Sequence, residues 1–287
     1  MTNDRKKTLL MLVLAPVFWS TGGLLIKLVN WNPIAIAGTR SGISAIIIYL
    51  YIITFKKDID KKKLINKDIH KWIGAFFYAA TVIIFVAANK MTTAANVIFL
   101  QYTAPVWVAL FSGIILKEKV KRIDWVVIFF VMSGMMLFFL GDIEIGQMLG
   151  NILAVISGVA FAGVVLSLKM QKNCKAIEVV FLGNLLTLIV SLPFIFQSIP
   201  DFKSIIGLIL LGVFQLGFAY IFFSEAIEKV SAVEAILIPA IEPILNPIWV
   251  FLIIGEKPSK FAIIGGIVVI ISILSRSIIL NKKQQLN

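Results

Sequence analysis

The stretch Gln101-Tyr-Thr-Ala-Pro105, running on to Leu116-Lys-Glu118-Lys119, returns later in the chain as Pro239-Ala-Ile-Glu-Pro243, running on to Ile254-Gly-Glu256-Lys257. Pro105, Glu118 and Lys119 match Pro243, Glu256 and Lys257 at a constant spacing of 138 residues, and Gly74 matches Gly212 at the same spacing. Near the start of each copy, Phe18-Trp-Ser-Thr-Gly22 to Lys27 lines up with Ala160-Phe-Ala-Gly163 to Lys169 at a spacing of 142. The order of these matches holds along the whole chain, as expected of one structural unit written twice.

Working outward from the repeat, apolar runs bounded by polar clusters fall at 9–29, 34–55, 72–88, 94–116 and 125–140, then at 148–168, 177–196, 205–225, 233–254 and 261–280. A bilayer core about 30 Å thick needs roughly 20 apolar residues per helix. The expected fold is therefore all-α: a polytopic membrane protein with ten transmembrane helices. Five spans per copy is an odd number, so the second copy enters the membrane with opposite orientation. The expected domains are two inverted five-helix repeats, residues 9–140 and 148–280. With 60% apolar and 15% charged residues, the composition agrees, since soluble domains are about a quarter charged. No stretch between spans exceeds 16 residues, so function is expected within the membrane. Arg5, Lys6 and Lys7 before the first run imitate a signal peptide, but the run continues to Val29 without a cleavage site and reads as a span.

The net charge of +12 raises the question of nucleic acid. The Lys and Arg residues sit in short loops between spans, however, and do not form a groove that follows phosphates. With the N-terminus inside, 20 of them lie in cytoplasmic loops and 4 in outer loops. This places both termini in the cytoplasm, in the plasma or inner cell membrane, and gives no nucleic-acid partner. Single Cys174 excludes an intrachain disulfide and a multi-Cys metal site, and is expected to be an exposed thiol. His70, beside Trp72 in a basic loop, reads as interfacial.

Those motifs resemble the EamA branch of the drug/metabolite transporter superfamily. The matching features are Phe18-Trp19-Ser20 with Lys27, Arg40, Pro105 with Glu118, and Glu242-Pro243 with Gly255-Glu256. The resemblance implies a ten-helix carrier with a central cavity between its halves, working by alternating access. It implies no particular solute, because related carriers move amino acids, nucleosides, amines and sugars, some outward and some inward. Position 182, which corresponds to Arg40, is Leu, so any role of that Arg belongs to one half.

Ionisable groups deep in a membrane face a cavity or a partner. Glu242 is near the middle of the ninth span, with Asn246 and Trp249 at i+4 and i+7 on one face. That face either lines the cavity or packs the halves together. Pro239, Pro243 and Pro247 recur on an adjacent face, where each removes a backbone donor; they either kink the helix or leave carbonyls for a solute or another helix. Trp19, Ser20, Gln101, Tyr102, Gln215 and Tyr220 complete the expected solute site, and Trp19 with Glu242 suits a cation. Arg40 either pairs with a carboxylate or meets an anionic group. Glu118 and Glu256 read as helix caps or gate contacts.

Intramembrane hydrolysis would need paired aspartates, Ser with His, or a metal cluster at one depth, and a nucleotide-driven pump a phosphate loop; the spans supply neither. The expected function is secondary transport of a small metabolite, an amino acid or related amine, by export. Proton coupling at Glu242 and uptake or exchange of a cationic amine or amino acid are further readings. A scaffold or receptor without transport is the rival class. The expected partners are the solute, lipid and protons; no cofactor or metal is expected, and the chain is expected to act as a monomer or homodimer.

Overall fold

A computed structural model describes residues 3–61, 64–65, 68–138, 147–245, 249 and 260–285. Asn246, Pro247 and Glu256 lie outside the described residues. The helical stretches are α1 (Asn3–Leu28), α2 (Pro33–Phe55), α3 (Ile69–Met91), α4 (Asn96–Ile115), α5 (Arg122–Phe138), α6 (Met148–Met170), α7 (Ala176–Ile195), α8 (Phe202–Ile227), α9 (Ala232–Leu237, running into a tighter turn at Ile238–Ile241) and α10 (Lys260–Gln285). Among the described residues no strand occurs.

Seven of these helices, α1–α4 and α6–α8, are long and apolar enough to cross a membrane. Helix α5 has 17 residues, about 26 Å at a rise of ~1.5 Å per residue, and the apolar part of α10 is Ile263–Arg276. The ninth expected span, 233–254, is described only in its first half and at Trp249. The outer surfaces of the helices are as apolar as their inner ones. In α2, Ile36, Ile48 and Ile52 are buried while Ile46 and Leu50 are exposed, so hydrocarbon is the solvent on the outer side.

The main helix contacts are α3 with α6, α4 with α6, α1 with α8, α3 with α7, α2 with α8, α2 with α7, α4 with α9, α1 with α9, and α5 with α10. Exchanging each helix for the one five places along maps this set onto itself. Close approach is needed at α2–α7, where a Cβ on Gly38 would lie 2.2 Å from Ser191 Cβ.

Charge is distributed unevenly along this interface. Arg5–Glu234, Asp4–Lys229, Lys56–Glu225, Asp58–Lys175, Lys71–Glu178, Glu118–Lys169 and Asp124–Arg276 each join a residue before position 139 to one after 146. All of them gather at one end of the bundle, the end that carries the N-terminus. At the opposite end the same halves meet through neutral hydrogen bonds, with Trp31 Nε1 donating to Ser198 Oγ at 2.8 Å and Asn30 N to Ser204 Oγ at 2.9 Å.

Loop residues of the sequence reading, His70 and Lys71 among them, belong to a helix. Asp68 caps α3 by accepting from His70 N at 3.0 Å, so the helix starts at Ile69 and its first turn includes Lys71. Lys71 is fully buried, 2.8 Å from Glu178 Oε2 on α7. Removing one partner of a buried pair strands the other. Lys71→Met is expected to lower stability by about 3–5 kcal/mol, and Lys71→Met/Glu178→Leu to recover most of that loss, as read by thermal unfolding in detergent.

Candidate functional site

A cavity lies where the two halves meet. The first half contributes Trp19, Arg40, Thr81, Val82, Phe85 and Gln101, and the second contributes Phe161, Gln215, Leu216, Tyr220 and Glu242. About 40 Å³ is open to the centres of water molecules, space for a few waters at ~10–15 Å³ each. In this conformation the walls are nearly closed on one another. Two pairs of wall residues are repeat partners: Trp19 with Phe161, and Val82 with Tyr220. The rings of Trp19 and Phe161 meet edge to face with centroids 5.9 Å apart.

Local breaks in the helices shape these walls. Helix α1 turns at Ser20–Thr21, directly after Trp19. Helix α4 breaks at Tyr102–Thr103, because Pro105 has no N–H for the Gln101 carbonyl. That carbonyl lies against Gly158 of α6, where a Cβ would come within 2.7 Å of it. In α9 the tighter turn Ile238–Ile241 sits at the repeat-equivalent station, just before Pro243. Helix α8 widens into a π-helical segment, Leu211–Phe218, from which Gln215 and Leu216 reach the cavity.

Glu242 is buried and its hydrogen-bond partner is Tyr102, from the other half. Tyr102 Oη is 2.8 Å from Glu242 Oε2 and 2.7 Å from the Pro239 carbonyl, which also accepts the backbone N–H of Glu242 in the tighter turn, since Pro243 has no N–H to offer it. A phenol has one proton. With Glu242 ionised, two acceptors compete for it. With Glu242 protonated, the acid donates to Tyr102 Oη, Tyr102 donates to Pro239 O, and each group is satisfied.

Arg40 enters from α2 and is 1% exposed. Its Nη1 donates to Gln215 Oε1 at 3.0 Å and its Nη2 to Val82 O at 3.4 Å, while Nε has no acceptor. Among the described residues no carboxylate pairs with it. Trp19 Nε1 is likewise buried without an acceptor.

Of the residues expected from sequence, Trp19, Arg40, Gln101, Gln215, Tyr220 and Glu242 share this cavity, and Tyr102 stands behind Glu242. Gln101 Nε2 also donates to Ser157 Oγ at 2.8 Å. Ser20 and Trp249 bind one another, with Trp249 Nε1 donating to Ser20 Oγ at 2.8 Å, and neither lines the cavity. Glu118 lies at the charged end of the bundle, where Oε2 accepts from Ala232 N at 3.0 Å at the start of α9. The sequence reading omitted Thr81, Val82, Phe85, Phe161 and Leu216. The repeat offered a signal for two of them, since Phe161 answers Trp19 and Val82 answers Tyr220.

Cys174 is half-buried, not exposed as expected, and its Sγ donates to Gln171 Oε1 at 3.2 Å. Burial, followed by the Glu178 carboxylate, pushes the thiol up to about 11.

Comparison with known proteins adds three findings. The EamA-like transporter family matches residues 6–140 and 148–277. An uncharacterized transporter of Clostridium kluyveri is 29% identical over 288 aligned positions, covering 93% of this chain and 91% of the relative. A solved chain described as "Crystal structure of protein" superposes with a TM-score of 0.77 at 14% identity, covering 94% of this chain and 96% of its own, a likeness of fold.

Tyr102→Phe removes a donor to Pro239 O and the partner of Glu242. It is expected to cost about 1–3 kcal/mol, read as a fall in Tm of about 2–4 °C per kcal/mol. Because the thiolate is the nucleophile, alkylation of Cys174 by iodoacetamide is expected to be slow at pH 7.5 and to rise about tenfold per pH unit until its titration near 11.

Proposed function

The chain belongs to the EamA-like transporter family of the drug/metabolite transporter superfamily, and from that premise we propose that it exports a small metabolite, an amino acid or related amine, in exchange for protons. The proposed plan is ten spans in two inverted five-helix halves, residues 9–140 and 148–280, with both termini in the cytoplasm. The central cavity is the solute site, exposed to one side of the membrane at a time. Trp19 and Tyr220 supply apolar walls, Gln101 and Gln215 polar handles, and Glu242 the proton site.

The observation that carries this reading is the position of Tyr102 between Glu242 Oε2 and the Pro239 carbonyl, at 2.8 and 2.7 Å. One proton on Glu242 completes that chain, and its loss leaves the carboxylate and the carbonyl competing for the hydroxyl. The chain ties α4 to α9, one helix from each half, at the break in each. Protonation at this point thus bears on how the halves are held together. Export is the direction favoured by the family resemblance. Discontinuous helices at mid-depth also support a carrier, since irregular backbone is placed where membrane carriers bind their cargo.

Glu242→Gln keeps a donor toward Tyr102 and cannot release a proton. In reconstituted vesicles preloaded with pooled amino acids and amines, the wild type is expected to drive substrate movement when a pH gradient is imposed. The Gln variant is expected to lose that response while retaining substrate exchange at zero gradient. A Gln variant that still concentrates substrate under the gradient removes Glu242 from the coupling role, and no exchange by the wild type with any pool removes the carrier reading.

A further inference from the structure

We propose that Arg40 and Trp19 form an anion subsite in the central cavity, and that the transported solute carries a carboxylate which docks there. The inference deepens the carrier reading and rests on it for the word solute.

A guanidinium withdrawn from water into a membrane protein needs compensation, usually a carboxylate or a full set of acceptors. Arg40 has neither. Its charge is buried, its Nη1 is held by an amide, its Nη2 makes one long bond to a carbonyl, and its Nε is unused. The acid that shares the cavity, Glu242, is turned to Tyr102 and makes no ion pair with Arg40. Nε and Nη2 form the side-on edge of the guanidinium, the edge that matches the two oxygens of a carboxylate. Trp19 Nε1 is a second buried donor without an acceptor, on a residue lining the same cavity.

Two buried donors without acceptors, on two residues that line one cavity, call for an acceptor-rich group. Gln215 holds the Arg head in place from α8, and the α2 and α8 backbones meet closely here, with Gly212 leaving no room for a Cβ 2.9 Å from the Arg40 carbonyl. The head is therefore fixed before the ligand arrives. The repeat assigns Leu182 to the equivalent position in the other half, so the cavity has one such subsite and an oriented solute. The open space of about 40 Å³ accommodates a planar group of a few heavy atoms as the cavity stands, while the body of a metabolite requires the walls to part. A plain amine or polyamine leaves Arg40 uncompensated and is disfavoured, and an acid is selected over its amide.

The test uses acetate and formate as probes, with acetamide and formamide as neutral counterparts, on the full-length purified protein at ionic strength held constant with sodium chloride. The expected result is a saturable rise in Tm of about 3 °C with the acids and none with the amides. Arg40→Met is expected to abolish the acetate response, Arg40→Lys to weaken apparent affinity about tenfold through loss of the planar fork, and Trp19→Phe to weaken it similarly while the fold is kept. Equal shifts with acetate and acetamide, no acid-specific shift at all, or an undiminished response in Arg40→Lys and Trp19→Phe would each overturn the subsite. The two readings fail separately. Acetate binding through Arg40 without vesicle exchange would leave an anion site on a protein that is not a carrier. Exchange of amines or amides that ignores Arg40 would leave a carrier without this subsite.

Discussion

A backbone carbonyl in hydrocarbon needs a donor, and proline removes one. In this protein, besides Pro16 in α1 and Pro193 in α7, the removal recurs at matching stations of α4 and α9, at Pro105 and Pro243. At each break a distant helix comes close. Gly158 lets α6 lie against the Gln101 carbonyl, and Tyr102 brings its hydroxyl to the Pro239 carbonyl. The consequence is that the centre of the bundle is held together by groups supplied across the two halves, and the cavity opens beside those breaks. Helix α8 makes a comparable local departure through its π-helical segment, which presents Gln215 to Arg40.

The polar groups of the cavity are asymmetric although its framework follows the repeat. Trp19 faces Phe161 as its repeat partner, but Arg40 corresponds to Leu182 and Glu242 corresponds to Ala104. One half therefore brings a cation and the other an acid. Their separation matters for chemistry: a direct Arg–Glu pair would neutralise both, whereas Tyr102 occupies the acid and Arg40 Nε is left buried without an acceptor. In the proposed carrier, Arg40 is the group kept for an anion and Glu242 the group that takes the proton.

Charge also distinguishes the two ends of the bundle. The ion pairs that cross between halves cluster at the end carrying the N-terminus, where the Lys-rich loops lie, and neutral bonds join the halves at the other end. Ion pairs exposed to water are individually weak, so most of these act as register marks between the halves. The buried pairs Lys71–Glu178 and Asp124–Arg276 are different, because separating them strands a charge in apolar surroundings. They join α3 to α7 and α5 to α10 at this end.

Hydropathy was enough to locate the seven helices that are long and apolar enough to cross a membrane to within about six residues, because span length is imposed by the bilayer. It also singled out Glu242 and Arg40, since a charge at depth stands out in an apolar run. What sequence did not determine was who meets whom. Asn246 and Trp249 share a helical face with Glu242 by periodicity, yet Trp249 donates to Ser20, and the acid's partner is Tyr102, 140 positions away. Lys71 reads as a loop residue because it is charged, and its burial is compensated by a partner, Glu178, that α7 brings to it. Periodicity records the environment of one helix, whereas hydrogen-bond partners, the orphaned donors of Arg40 and Trp19, and the cavity itself arise from residues brought together by packing between the two halves.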